Sequence, residues 1–239
     1  MIDKNLLKEI IDSIERFIPD EFGIDTDDDT SPEIEDLNDI LWNKFHSKVE
    51  TFNGVTKFVI LHKNADEVIK IPFNGKFENY YGEEGEYDTP ETEFIHFECA
   101  NDLCTGAANW DYCENELIKY EDAVDAGFGE FFAATRFDIV NDKIVYLQET
   151  CEAFCDSDYS VAETSEAAKK SYHDNEDRFD TYINSQWMIQ AIEYYGVEKV
   201  VDFLRYIRQH DMASDLHMGN IGYTRTGKPV LIDWAGYRE

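Results

Sequence analysis

The chain has 239 residues, 43% of them hydrophobic, which is enough for one large domain or two small lobes and excludes a disordered chain. Its charge is extreme, with 21 Lys and Arg against 52 Asp and Glu and a net charge of −31. A surface this acidic repels phosphate backbones, so we expect no direct nucleic-acid binding. The charge favours solubility, a basic protein partner, or mimicry of nucleic acid.

The sequence also predicts a cytoplasmic protein that does not enter a membrane. It contains no run of 18 apolar residues, and its N-terminus lacks the apolar stretch and cleavage site of a secretory signal. The five cysteines include no C-x-x-C pair, so we expect reduced thiols. A zinc site built from Cys151, Cys155 and a distant His is the alternative.

The first 46 residues are predicted to form a helical extension. Residues 3–18 carry apolar side chains at helical spacing, and Pro19 ends the run. After an acidic turn, Ser31 followed by Pro32 marks the start of a second helix, with an apolar face that continues to Phe45.

From about residue 47 the pattern changes to strands. The runs KFVILHK and EVIKIPF, separated by NAD, predict a hairpin. Residues 74–109 are acidic and without periodicity, so we interpret them as an insertion. A helix is predicted over 111–126 with Gly127 as its stop, and a second hairpin follows around Asn141 and Asp142.

The C-terminal part is predicted to be mainly helical. Two helical runs lie between residues 178 and 209 and are divided at Gly196. Two strand-like pieces around the turn TRTGK then end the chain. This order predicts an α+β fold with two lobes: the extension over 1–46, a strand-rich lobe over 47–150 and a reduced helical lobe over 151–239.

The tail holds a spacing of polar residues that suits phosphoryl transfer. Asp215 and Asn220 are five residues apart, and Asp233 follows thirteen later, after the strand-like KPVLI. Phosphoryl transfer needs a carboxylate that positions the acceptor hydroxyl and oxygen ligands that hold magnesium against the phosphates. An Asp-x₄-Asn followed by a hairpin and a strand-end Asp supplies this set in one short unit.

DLHMGN…IDWAG resembles the catalytic and magnesium loops of the protein-kinase-like superfamily, above all its aminoglycoside and small-molecule kinases, where D-x-H-x-x-N and I-D-W/F are usual. The resemblance covers roughly residues 50–236. It implies a two-lobed protein-kinase-like fold, ATP and Mg²⁺ as cofactors, Asp215 as the catalytic Asp, and Asn220 and Asp233 as metal ligands. His217, inside the motif, is expected to orient the loop by hydrogen bonding rather than to act as a base.

The resemblance extends to the strand-rich lobe. EVIKI resembles the V-A-I-K strand, which implies that Lys70 holds the α- and β-phosphates. Its implied partner is Glu116 on the following helix, with Glu114 as second choice. The alternatives are that Lys70 is an ordinary strand lysine whose ammonium group reaches water, and that Glu116 is a solvated helix acid.

VYLQETC resembles the last strand of the small lobe and the hinge. The resemblance places Gln148 at the back of the adenine pocket and the backbone of Glu149 and Cys151 at the adenine edge. The phosphate-covering loop, in contrast, departs from the family because TFNGVTK contains only Gly54. Phosphate binding is therefore expected to rely on the hydroxyl of Thr56 or the charge of Lys57, or to be weak.

Two further departures concern regulation and substrate. Ala213 and Ser214 precede Asp215 where the family has His-Arg or His-Gly, which removes the usual receiver of an activation-loop phosphate. The sequence ends three residues after Gly236 without an A-P-E motif. We therefore expect a minimal unit that recognises its acceptor through the N-terminal helices or the acidic insertion.

The function predicted is an ATP- and magnesium-dependent phosphotransferase acting on a protein or small-molecule hydroxyl. A kinase-like nucleotide-binding or partner-docking module with weak or no catalysis is the alternative. An acidic decoy of a nucleic-acid-binding protein explains the charge but not the motifs, and AMP transfer would use the same residues.

Overall fold

In the computed structural model, the residues whose structure is described are 3–15, 21–25, 39, 41–45, 48–53, 57–62, 65–72, 75–79, 93–98, 112–140, 143–156, 164–179, 183–210, 212–213 and 216–234. They form a mixed α+β structure. The chain divides into two units, which are Met1–Asn115 with Arg136–Gln148 (the first unit) and Glu116–Thr135 with Glu149–Glu239 (the second unit). Glu116–Thr135, predicted within the strand-rich lobe, thus clusters with the C-terminal part of the chain.

The first unit begins with the predicted amphipathic helix. Helix α1 (Lys4–Glu15) starts at Asp3, whose Oδ1 accepts the Asn5 amide at 2.7 Å. Its buried side chains include the predicted Leu6, Leu7, Ile10 and Ile11, and also the polar Ser13. A helical segment at 41–45 (α2) buries Leu41 and Phe45 on the predicted apolar face.

A five-stranded sheet follows in the first unit. Its strands are β2 (Val49–Asn53), β3 (Lys57–His62), β4 (Glu67–Pro72), β7 (Thr135–Val140) and β8 (Lys143–Glu149), in the order β2-β3-β4-β8-β7. The predicted hairpin is confirmed, because β3 and β4 pair antiparallel with Ile60 opposite Ile69. Arg136 of β7 forms a forked pair with Glu67 of β4, at 2.7 and 3.0 Å.

A separate three-stranded sheet corrects the interpretation of residues 74–109 as an insertion without regular structure. Strands β5 (Gly75–Asn79) and β6 (Glu93–Glu98) lie within it, and β6 also pairs with β1 (Glu21–Asp25), in the order β1-β6-β5. Glu21 lies opposite Glu98. These strands depend on pairing between distant segments, which a local pattern does not indicate.

The second unit contains most of the helices and a core rich in aromatic rings. Its helices are α3 (Tyr112–Asp125, which begins in the first unit), α4 (Glu166–His173), α5 (Glu176–Phe179), α6 (Ser185–Tyr195) and α7 (Val197–Gln209). The predicted helix stops are confirmed, with φ of 84° at Gly127 and 83° at Gly196. In the core, the ring of Phe131 stacks on Phe203 with centroids 4.1 Å apart.

A small sheet completes the second unit. Strands β9 (Cys151–Ala153), β10 (Ile221–Thr224) and β11 (Pro229–Leu231) pair in the order β11-β10-β9, so the two predicted strand-like pieces form a hairpin. Gly222 is required by space, since a Cβ there would lie 2.1 Å from the Glu152 carbonyl oxygen. Trp187 of α6 donates its indole N–H to the Gly222 carbonyl at 3.1 Å.

None of the helices in the described part of the chain is both long enough and apolar enough to cross a membrane. Of the described cysteines, Cys113 is buried, Cys151 is half-buried and Cys155 is exposed.

Candidate functional site

The hairpin of β10 and β11 brings together two of the predicted site residues, Asn220 and Asp233. Asn220 directly precedes β10, and Asp233 lies two residues after β11. The Asn220 carbonyl accepts the amides of Ile232 at 2.8 Å and of Asp233 at 3.2 Å. Both predicted metal ligands are half-buried. One backbone carbonyl thus fixes their spacing at the open end of the hairpin.

The turn before β10 is closed twice by His217. Its carbonyl accepts the Asn220 amide at 2.9 Å, and its imidazole Nδ1 accepts the Gly219 amide at 3.0 Å. A Cβ at Gly219 would lie 2.9 Å from Cε1 of that imidazole. His217 therefore makes a hydrogen bond within the loop, of the kind expected from the sequence.

Trp234, next to Asp233, links this end of the hairpin to helix α3. Its indole N–H donates to the Glu116 carbonyl at 3.1 Å, and its ring meets Phe132 edge-on with centroids 5.0 Å apart. Tyr120, one helical turn after Glu116, has its ring 6.5 Å from the indole. All four residues belong to the second unit. The sequence placed Trp234 in the I-D-W motif but did not indicate this acceptor.

Lys70 and Glu116 are both buried, with exposed fractions of 3% and 0%. Lys70 lies on β4 in the first unit opposite Val59, and Glu116 lies on α3 in the second. Lysine and glutamate are rarely buried this completely unless their charge is satisfied. The alternatives of a solvent-exposed strand lysine and a solvated helix acid are therefore wrong. Glu114, the second choice for the helix position, is exposed.

The segment predicted to be the hinge joins β8 to β9. Gln148 is buried at the end of β8, and the Glu149 amide donates to the Ala134 carbonyl at 2.8 Å. That amide is therefore engaged within the second unit, and the predicted contact of the Glu149 backbone with adenine stays a prediction. Cys151 lies in β9 opposite Thr224.

Three of the predicted site residues, Asp215, Gly54 and Thr56, lie outside the described residues. The same holds for Ser214, directly before Asp215. The predicted catalytic Asp and the predicted phosphate loop therefore stay predictions.

The side-chain oxygen atoms of Asn220 and Asp233 are of the type that binds magnesium. An amide oxygen and a carboxylate are hard oxygen ligands, and Mg²⁺ typically takes one or two protein oxygens and completes its shell with water and phosphate. Within the described segments, no group of three His, Cys, Asp or Glu side chains could hold a metal ion. The candidate magnesium ligands in these segments are therefore the side chains of Asn220 and Asp233.

Comparison of the chain with protein-family models, with curated proteins and with solved structures finds no match in any of the three.

Proposed function

We propose that the protein is an ATP- and magnesium-dependent phosphotransferase with a two-lobed, protein-kinase-like fold. The observation that carries the proposal is that the Asn220 carbonyl accepts the Asp233 amide, which holds the two residues close together. Their sequence context resembles kinase magnesium loops, and a magnesium pair requires two oxygen ligands at a fixed short spacing.

Lys70 and Glu116 supply further support. Lys70 lies on the third of the three strands β2, β3 and β4, and the buried Glu116 lies on α3, the next helix among the described residues. In protein kinases the phosphate-binding lysine is on the third strand and its glutamate partner is on the helix that follows. Here the strands β5 and β6 intervene between β4 and that helix.

In this proposal each residue has one task. Asn220 and Asp233 hold Mg²⁺, which when bound neutralises charge on the phosphates. Lys70 binds the α- and β-phosphates, and Glu116 keeps the lysine in place. Asp215 orients the acceptor hydroxyl and accepts its proton.

The acceptor that fits the chain best is a hydroxyl on a basic protein. The net charge of −31 favours a cationic acceptor over an anionic one. Transfer of AMP would use the same residues, and the two reactions differ in product. With ATP labelled on either the γ- or the α-phosphate, phosphoryl transfer leaves only the γ label on a basic, serine-containing acceptor protein. Transfer of the α label would show AMP transfer instead.

The first experiment is thermal unfolding of the whole chain with millimolar ATP and Mg²⁺. A ligand at about 100 times its Kd stabilises the folded state by about 2.7 kcal/mol, and we expect such a shift here. Asp233→Asn and Asn220→Ala should lose it. Asp202→Asn should keep it, because Asp202 is an exposed acid that pairs with Arg205 on α7.

The same measurement decides between the phosphotransferase and the alternatives. No shift in the unaltered protein would reject nucleotide binding and leave the partner-docking module or the acidic decoy. A shift that survives in Asp215→Ala, together with loss of label transfer, would assign the catalytic step to Asp215. Full transfer by Asp215→Ala would remove that residue from the mechanism.

A further inference from the structure

The turn that precedes β10 depends on an imidazole rather than on backbone alone. Nδ1 of His217 accepts the Gly219 amide at 3.0 Å, while the His217 carbonyl accepts the Asn220 amide at 2.9 Å. A histidine Nδ1 is bonded to Cγ, as is the Oδ1 of asparagine. His217 therefore closes the same kind of turn that Asn and Asp side chains close with the amide two residues on.

This turn sets the position of both metal ligands. The Asn220 amide is held by His217, and the Asn220 carbonyl holds the amides of Ile232 and Asp233. A change in the turn would therefore move Asn220 and, through its carbonyl, the backbone that carries Asp233. Groups that orient metal ligands in this way affect metal affinity about 10–100-fold when they are lost.

Gly219 is part of the same turn, because the His217 imidazole occupies the space that a side chain at 219 would need. A Cβ on Gly219 would lie 2.9 Å from Cε1 and 3.1 Å from Nδ1 of His217. An alanine at 219 would push the ring away from the amide that it accepts. The two positions are thus expected to act together and not additively.

We propose that His217 is a positioning residue for the magnesium pair, acting through Nδ1 and the Gly219 amide. The inference rests on the proposed function, since it concerns the metal at Asn220 and Asp233. His217 is exposed, so its imidazole contributes little to the core. Its effect belongs to the geometry of the loop.

The test compares three substitutions of His217. His217→Ala removes the acceptor, His217→Asn keeps an acceptor at the place of Nδ1, and His217→Gln keeps one near the place of Nε2. His173→Ala is the matched control, because His173 is exposed on α4. The first readout is the Mg²⁺ concentration that gives half of the ATP-induced thermal shift. The second is amide hydrogen exchange of residues 216–221 without nucleotide or metal.

We expect His217→Ala and His217→Gln to raise the Mg²⁺ requirement about tenfold or more. Both should speed exchange at 216–221, whereas His217→Asn and His173→Ala should leave both readouts near those of the unaltered protein. Gly219→Ala should resemble His217→Ala, and the double variant should be no worse than either single one.

Distinct outcomes separate this inference from the proposed function. If the unaltered protein shows no shift with ATP and Mg²⁺, the proposed function fails. If it shows the shift and His217→Ala has the same Mg²⁺ requirement, the positioning role is overturned. Rescue by Gln and not by Asn would also overturn it, because the active atom would then be Nε2.

Discussion

Replacing Trp234 with Phe should loosen the start of helix α3 from the hairpin. The change removes the indole N–H that the Glu116 carbonyl accepts at 3.1 Å. A buried acceptor left without its donor costs about 1–3 kcal/mol. The smaller ring also packs less well against Phe132 and Tyr120, which adds about 1–2 kcal/mol. The sum, about 2–5 kcal/mol, is a large part of the roughly 5–15 kcal/mol that stabilises a typical domain.

Trp187→Phe is the control that separates this link from general loss of stability. Trp187 is equally buried and donates its indole N–H to a backbone carbonyl at the same distance, 3.1 Å, but its acceptor is Gly222 on β10. Urea denaturation should therefore show similar losses in the two variants. Amide exchange of α3 residues 116–120, measured well below the unfolding midpoint, should rise only in Trp234→Phe. Equal exchange in both variants would refute the link.

Three further predictions concern other parts of the chain. Gly222→Ala should destabilise by about 3 kcal/mol or more in urea denaturation, because the new Cβ would lie 2.1 Å from the Glu152 carbonyl oxygen, a backbone atom that cannot turn away; a loss under 1 kcal/mol would contradict this steric argument. If Glu116 holds Lys70 as the resemblance implies, Lys70→Met and Glu116→Gln should reduce the ATP-induced shift non-additively, and additive losses would argue against the pairing. Burial, followed by nearby charge, raises the pKa of the Tyr195 hydroxyl above its ordinary value of about 10. The folded state therefore holds this proton more tightly than the unfolded state, and the contribution of Tyr195 to the free energy of unfolding is complete below about pH 10 and is lost as the pH rises further. Alkaline unfolding curves should then be flatter for Tyr195→Phe, whereas an unchanged slope would exclude this tyrosine as a source of the pH dependence.

The amphipathic elements were readable from the sequence because their burial follows a local period. Leu6, Leu7, Ile10 and Ile11 of α1 are buried and are among the predicted apolar positions, and the helix stops at Gly127 and Gly196 need only a residue that tolerates positive φ. The sheet of β1, β5 and β6 was not readable. Strand β1 pairs with β6, which lies far along the chain, and a local pattern does not indicate such a pairing.

The burial of Lys70 and Glu116 is a second feature that local sequence patterns could not predict. Spacing within a strand or helix says which face a residue shares, but it does not say whether a charged side chain on that face finds its charge satisfied. The motif resemblance favoured Glu116 over Glu114, and the structure separates them by exposure, with one buried and the other at the surface. A charge that is enclosed so completely is costly unless it is satisfied, so burial distinguishes Glu116 from an ordinary solvated acid.

Two contacts at the candidate site, Asn220 with Asp233 and Trp234 with Glu116, differ in how far they reach along the chain. Asn220 and Asp233 are joined by a hairpin whose turn includes Gly227 at φ 80°, so a short spacing in sequence becomes a hydrogen bond in space. The link from Trp234 to Glu116 spans 118 residues, and the indole could have met any buried carbonyl. Local geometry therefore brings Asn220 and Asp233 together, whereas tertiary packing decides where α3 lies relative to the hairpin within the second unit. This difference explains why the proximity of Asn220 and Asp233 could be predicted from their spacing in the sequence, whereas the contact of Trp234 with α3 was found only in the structure.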